Sequence, residues 1–312
     1  MGQRIQDPQT LTRVAELAIP PAWKEVWICP DPFGHLQATG RDAAGRKQYL
    51  YHAKWREHRD RQKFDRMTRF GARLPQLRRQ LRSDLAPDGF TRERVLACAV
   101  RLLDVGMFRI GSEEYASDDG GLGLATIGRE HVSVQDDSVG FDYPAKAGVR
   151  RSQVIIDPMT FEIVATLARR RSGVPELLAY RHGRRWTALR SEEINEYLKA
   201  QLGEEFSAKD FRTWNATVLA AVSLATDGAG ADSEGRRKRA IDRAVRGVAD
   251  LLGNTPAVAR RSYVDPRIFD HYLSGVTIAR AVRRIPDLDP ADDRVRARIE
   301  RAVLRLLAGT SL

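Results

Sequence analysis

The 312-residue chain carries 52 Lys and Arg against 41 Asp and Glu, a formal net charge of +11, and is 42% hydrophobic and 30% charged. That balance excludes a disordered acidic chain or a collagen-like one. It fits a soluble globular protein with room for two domains at about 100–200 residues each, attracted to polyanions. Two isolated cysteines, Cys29 and Cys98, exclude a disulfide scaffold and fit a reducing cytoplasm.

Residues 1–19 read as an arm or short helix without the apolar centre of a signal peptide. The runs VWICP, HLQATG and RKQYLYH, separated by Pro30, Pro32, Gly34, Gly40 and Gly45, read as short antiparallel strands. Ala53 to Phe70 changes to a charged helical pattern, and Gly71 to Pro75 reads as a hinge. Thr91 is an N-cap candidate for a helix whose Val95, Leu96, Ala99, Val100, Leu102 and Leu103 form an apolar stripe, with Gly111 near its end. LATI, HVSVQ, VGFDY and SQVIID, within 124–156, read as a small β element with Ala145-Lys146-Ala147-Gly148 at a hairpin turn. Helices are expected at 158–167, 191–201, 215–225, 237–252, 265–284 and 292–307, and DGAGADSEG (227–235) as a mobile loop. The expected fold is α+β. A small β-rich N-terminal domain would occupy residues 1–74, and a larger, mainly α-helical domain with its small β element residues 75–312. The longest apolar stretch, Val218 to Ala225, is far shorter than the roughly 18 residues of a membrane span.

The charge is uneven. Between Arg41 and Arg82 lie fourteen Lys and Arg against four acids, nearly the whole surplus of the chain. Tyr49, Tyr51, His52 and Trp55 are interleaved with those bases. Bases neutralise phosphates and aromatics pack on sugars or bases, so nucleic-acid contact is favoured over a merely solvated helix face. The usual cofactor motifs are absent. There is no P-loop, no complete G-x-G-x-x-G in GGLGLATIG, no H-E-x-x-H, no cysteine–histidine cluster and no G-x-S-x-G elbow. No cofactor, nucleotide or metal is expected.

Five residues stand in ordered motifs: Arg109 in FRIGSEEYA, Lys146 in YPAKAGV, Arg212 in AKDFRTWNA, and Asn254 and Tyr263 in NTPAVARRSYVDP. Taken singly each has a plain reading. Arg109 would be a surface or capping residue, Lys146 a turn lysine, Arg212 a cation–π packing residue between Phe211 and Trp214, and Tyr263 a half-buried core tyrosine. Together with IPPAWKEVWI, the Gln37–Asp42 run, GRKQYLYHAKWR and GLATIGREHV, they give a pattern that resembles the type IB DNA topoisomerases, specifically the small bacterial and poxvirus-like branch. The resemblance covers nearly the whole chain.

The resemblance implies a transient bond between Tyr263 and a DNA 3′-phosphate. It implies that Arg109 and Arg212 hold the scissile phosphate, that Lys146 is the general acid and that Asn254 is a further phosphate contact. Many relatives carry histidine where this chain has Asn254, which donates a neutral hydrogen bond and does not titrate. Tyr272 is the internal competitor for nucleophile, but its surroundings do not match the family. The residue types suit the chemistry. Guanidiniums present charged forks to non-bridging oxygens, a lysine among cations gives up its proton more readily, and a tyrosine needs a cationic site to favour its phenolate. The resemblance further implies duplex DNA as partner, contacts from Gln48, Tyr49 and Tyr51 with help from Arg46, Lys47 and His52, a monomer, and a cytoplasmic, nucleoid-associated protein. By strand alternation Tyr49 and Tyr51 share one face and Gln48 the other, so either the tyrosines or the glutamine face DNA. Two alternatives remain: a tyrosine recombinase, against which KDFRTW lacks a nearby H-x-x-R pair, and a non-catalytic architectural DNA-binding protein.

Overall fold

The computed structural model describes residues 4–112, 121–227, 233–287 and 292–309. Parts of three sequence features lie outside the described residues: 113–116 of FRIGSEEYA, Gly120, and 228–232 of the loop expected at 227–235. The chain is α+β and divides into two units, residues 1–66 and 67–312, with the division inside one long helix.

In the first unit, Asp7 caps helix α1 (Pro8–Glu16), its carboxylate accepting the Thr10 amide at 2.7 Å, with Pro8 preset for the first turn. The three expected strands form an antiparallel sheet in the order β1 (Lys24–Ile28), β2 (Leu36–Arg41), β3 (Lys47–Tyr51). Buried Gln37 ties the unit together. Its amide nitrogen donates to the Asp31, Pro32 and Gly34 carbonyls, and its oxygen accepts from Arg13 of α1 at 2.9 Å. Trp27, Thr39 and Tyr49 are cross-strand partners and so share one face of the sheet with Tyr51.

Helix α2 (Ala53–Leu85) runs unbroken through Gly71 and Pro75, where a hinge is expected from sequence. Gly71 serves close approach there. A Cβ at that position would lie 2.4 Å from the buried Trp214 indole, so the helix backbone and the ring pack directly. In the second unit Met67, Phe70, Leu74, Leu77, Leu81 and Leu85 recur at helical spacing and are buried. Thr91 caps helix α3 (Arg92–Gly106) as expected, but α3 ends at Gly106, before Gly111, with Met107 in the left-handed region at φ 51°.

LATI forms a turn instead of a strand. The small sheet is β4 (Val132–Gln135), β5 (Ser138–Pro144) and β6 (Arg150–Ile155), in that order and antiparallel. Helix α4 (Phe161–Arg169) follows. A hairpin that the sequence reading does not contain comes next, β7 (Ala179–His182) and β8 (Arg185–Ala188).

Then come α5 (Ser191–Leu202), α6 (Ala208–Asp227), α7 (Glu234–Leu252) and α8 (Pro256–Ser262). The single helix expected at 265–284 is two, α9 (Arg267–Leu273) and α10 (Ala279–Val282). The amides of Gly275 and Val276 fold back onto the Tyr272 and His271 carbonyls and stop the first. The last helix, α11 (Asp293–Leu307), docks through buried charge: Arg78 of α2 lies 2.8 Å from Asp104 of α3 and 2.7 Å from Glu300, and Arg296 lies 2.6 Å from Asp104. Among the described residues no helix is long and apolar enough to cross a membrane.

Candidate active site

Four of the five motif residues, Arg109, Lys146, Arg212 and Tyr263, line one cavity of about 510 Å³ in the second unit. The fifth, Asn254, lies immediately behind Arg109, its side-chain oxygen accepting from Arg109 Nη2 at 2.8 Å. Residues spread over more than 150 positions of sequence are thus gathered by helix ends and one hairpin.

Arg109 follows the left-handed turn at Met107 that ends α3. A non-glycine residue there is strained, and the strain is held by Arg212 Nη1, which donates to the Met107 carbonyl at 2.5 Å. Arg212 sits near the start of α6, earlier than the expected helix start at 215. The Asp210 carboxylate reaches back to the Ser207 amide at 2.9 Å, one half of a capping box at this start. Two residues further along, Trp214 turns to the opposite side of α6, where its indole N–H meets Glu300 at 3.3 Å. One face of α6 therefore serves the cavity and the other the core.

Arg212 is 3% exposed, and its guanidinium carbon stands 5.3 Å from the Tyr263 ring centroid. Burial, with Arg109 and Arg151 nearby, pushes its pKa down to about 10 against the pull of Tyr263, so it keeps its charge at neutral pH. Its Nε is buried with no hydrogen-bond partner among the described residues.

Tyr263 ends α8, a short helix begun by Thr255 and Pro256, and is 8% exposed. Its backbone is held close to α6, since the Thr217 hydroxyl accepts the Asp265 amide at 3.1 Å and its single proton is shared between the Thr213 and Tyr263 carbonyls, at 3.0 and 3.3 Å. Burial opposes ionisation of the phenol, yet Arg212, Arg109 and Lys209 together outweigh it and hold the pKa below the ordinary 10. Tyr272, the competitor, is 4% exposed, does not line the cavity, and its hydroxyl has no partner among the described residues.

Asn254 stands just past α7, whose C-terminal cap is Gly253 at φ 60°, a left-handed position suited to glycine. Because Asn254 gives its oxygen to Arg109, its Nδ2 donor is left buried and without a partner among the described residues. Lys146 is exposed on the connection between β5 and β6, which the Ala145 amide closes onto the Val149 carbonyl at 2.8 Å. Lys209, one turn before Arg212, also lines the cavity. Lys209, Thr217 and Arg151 are not among the site residues expected from sequence. Only Lys209 had a legible signal, its i, i+3 spacing from Arg212.

The expected DNA contacts lie in the first unit. Lys47 and Tyr49 are exposed on β3. From Tyr49 a stack continues to Tyr51 (6.2 Å between centroids) and Trp55 (4.4 Å), with Lys47 over Tyr49 and Arg59 over Trp55. Gln48 and Arg46 are both drawn onto Asp42, at 2.9 and 3.0 Å. His52 accepts the Lys54 amide at 3.1 Å and caps α2. Of the two faces the alternation left open, the tyrosine face is therefore the aromatic and cationic one, while the glutamine amide is occupied by Asp42.

Residues 52–274 match the family described as eukaryotic DNA topoisomerase I, catalytic core, and residues 1–42 match that described as bacterial DNA topoisomerase IB, N-terminal domain. The chain is also similar to the DNA topoisomerase 1B of Acanthamoeba polyphaga mimivirus, with 26% identity over 261 residues, covering 81% of this chain and 77% of the relative.

Proposed function

The chain belongs to the type IB DNA topoisomerase family, and from that premise we propose that it relaxes supercoiled duplex DNA by breaking and resealing one strand through Tyr263. The observation that carries the assignment of the nucleophile is the Tyr263 ring 5.3 Å from the buried Arg212 guanidinium, with its phenol held below the ordinary pKa.

The phenolate oxygen attacks phosphorus in line with the 5′-oxygen. A bond from phosphorus to Tyr263 forms as the phosphorus–O5′ bond breaks, and the leaving oxygen takes a proton from Lys146, departing as a 5′-hydroxyl. Arg212 and Arg109 face the non-bridging oxygens, where charge concentrates in the transition state. Arg212 Nε and Asn254 Nδ2 are buried donors without a partner among the described residues, and such a donor is costly until an acceptor, here a phosphate oxygen, reaches it. The phosphodiester energy is kept in the phosphotyrosyl bond, so resealing by the 5′-hydroxyl requires neither ATP nor metal. Rotation of the cut strand between the two steps removes supercoils of either sign. The N-terminal domain supplies duplex contacts through the Lys47–Tyr49–Tyr51 face, and the enzyme works as a monomer.

The test is plasmid relaxation with EDTA and without ATP. The wild type relaxes the plasmid and Tyr263→Phe binds DNA without relaxing it. Relaxation by Tyr263→Phe contradicts the assignment. A wild type that exchanges strands between duplexes instead favours a recombinase.

A further inference from the structure

The C-terminal end of α7 gathers three arginines from three different elements. Leu251, Leu252 and Gly253 present consecutive carbonyls that a helix end leaves unpaired. Arg151 of β6 donates to the first at 2.5 Å, Arg212 of α6 to the second at 2.7 Å, and Arg109 to the third at 3.3 Å. Three guanidiniums this close repel one another. The negative end of the helix dipole and its free carbonyls offset that repulsion, which is why the cluster sits here.

Two of these arginines line the cavity and the third does not. Arg151 is half-buried outside it, with its Nε and Nη2 also on the Gln153 side-chain oxygen at 3.0 and 2.7 Å, and its guanidinium lies against Gly253. It therefore grips the turn from behind. That turn decides where Arg109 points, because Arg109 Nη2 is shared between the Gly253 carbonyl and Asn254 Oδ1. With Nη2 so occupied, Arg109 keeps Nη1 and Nε for a substrate. Arg212, with Nη1 and Nη2 on carbonyls, keeps Nε. Arg151 also stands on the strand that leaves the Lys146 connection, so one side chain joins that hairpin to the turn carrying Asn254.

We propose that Arg151 is a positioning residue for the strand-breaking reaction: by fixing the C-terminal turn of α7 from outside the cavity, it sets the direction of Arg109 and Asn254 before DNA binds. The inference rests on the proposed cleavage through Tyr263. It concerns a residue that touches neither the scissile phosphate nor the cavity.

The experiment is single-turnover cleavage of a duplex oligonucleotide by the full chain, with duplex affinity measured in parallel. Arg151→Gln slows cleavage about tenfold or more, on the scale of a hydrogen bond to a charged group, and changes affinity less than threefold. Three groups lower the Tyr263 pKa: Arg212 and Lys209 from α6, and Arg109 from the loop after α3. Misdirecting Arg109 therefore moves the midpoint of the pH–rate profile upward, which a loss of stability alone does not do. Arg151→Gln combined with Asn254→Ala loses less than the product of the single losses, because both act on one turn. Gln153→Met, which removes the side-chain partner of Arg151 and leaves its bond to Leu251, gives a smaller effect of the same sign and serves if Arg151→Gln does not fold. An unshifted pH profile with multiplicative losses overturns the proposal. Absence of any covalent adduct with the wild type overturns the function on which it rests.

Discussion

At the scale of single residues, the site is a balance between burial and positive charge. Burial alone would raise the Tyr263 pKa, and three cations bring it below its ordinary value. The same burial takes Arg212 down to about 10. A depressed phenol pKa enlarges the reactive phenolate fraction as pH rises, while a depressed guanidinium pKa means loss of phosphate binding above it. The cleavage rate should accordingly rise with pH through a midpoint below 10 and turn down above about pH 10, as measured in single turnovers from about pH 6 to pH 11. Lys209→Ala should move the rising limb upward. The motif residues were legible through the resemblance, because they sit in four short runs, Asn254 and Tyr263 sharing one. Thr217 and Arg151 were not, because their partners, the Tyr263 carbonyl and the Leu251 carbonyl, are 46 and 100 positions away in sequence.

At the scale of elements, the structure departs from the expected elements in three places, and in the first of them packing overrides the local signal. Gly71 and Pro75 read as a hinge, yet Trp214 needs the bare helix backbone at Gly71, and flanking Leu74 and Leu77 are buried. The hairpin β7–β8 was obscured because AYRHGRRWTA is dense in arginine. Its two-residue connection at Gly183 was the turn signal to weigh more heavily. The early start of α6 was announced by Ser207-Ala-Lys-Asp210, a capping-box pattern. The role of α11 could not be read from its amphipathic pattern, because Asp104 lies far away in sequence and joins it only in the fold. Asp104 holds Arg78 and Arg296, and these arginines hold its pKa far below the usual carboxylate range despite full burial. A carboxyl depressed on folding stabilises fully above its unfolded value near 4 and progressively less as pH falls toward the folded value, so stability should fall below about pH 4. Asp104→Asn should cost about 3–5 kcal/mol in denaturant unfolding at neutral pH, because it strands buried arginines.

At the scale of the whole molecule, a surplus of +11 should make DNA binding salt-sensitive, and if the cationic, aromatic face on β3 meets the duplex as proposed, two kinds of contact should be separable there. Lys47→Ala should weaken duplex binding and reduce the slope of log affinity against log salt by about one. Tyr49→Ala should weaken binding with the slope unchanged, since it removes stacking and no charge. The α+β fold class was legible in the switch from short broken strands to long helical patterns. Which residues meet across the cavity was legible only through resemblance, since no local pattern brings Arg109 and Asn254 to 2.8 Å. The central claim is that Tyr263 carries the broken strand. It is tested most directly by trapping the protein on duplex DNA with denaturant, digesting it, and identifying the nucleotide-bearing peptide by mass spectrometry. The account predicts the nucleotide on Tyr263 and no adduct from Tyr263→Phe. A nucleotide on Tyr272, or an adduct that survives Tyr263→Phe, would contradict it.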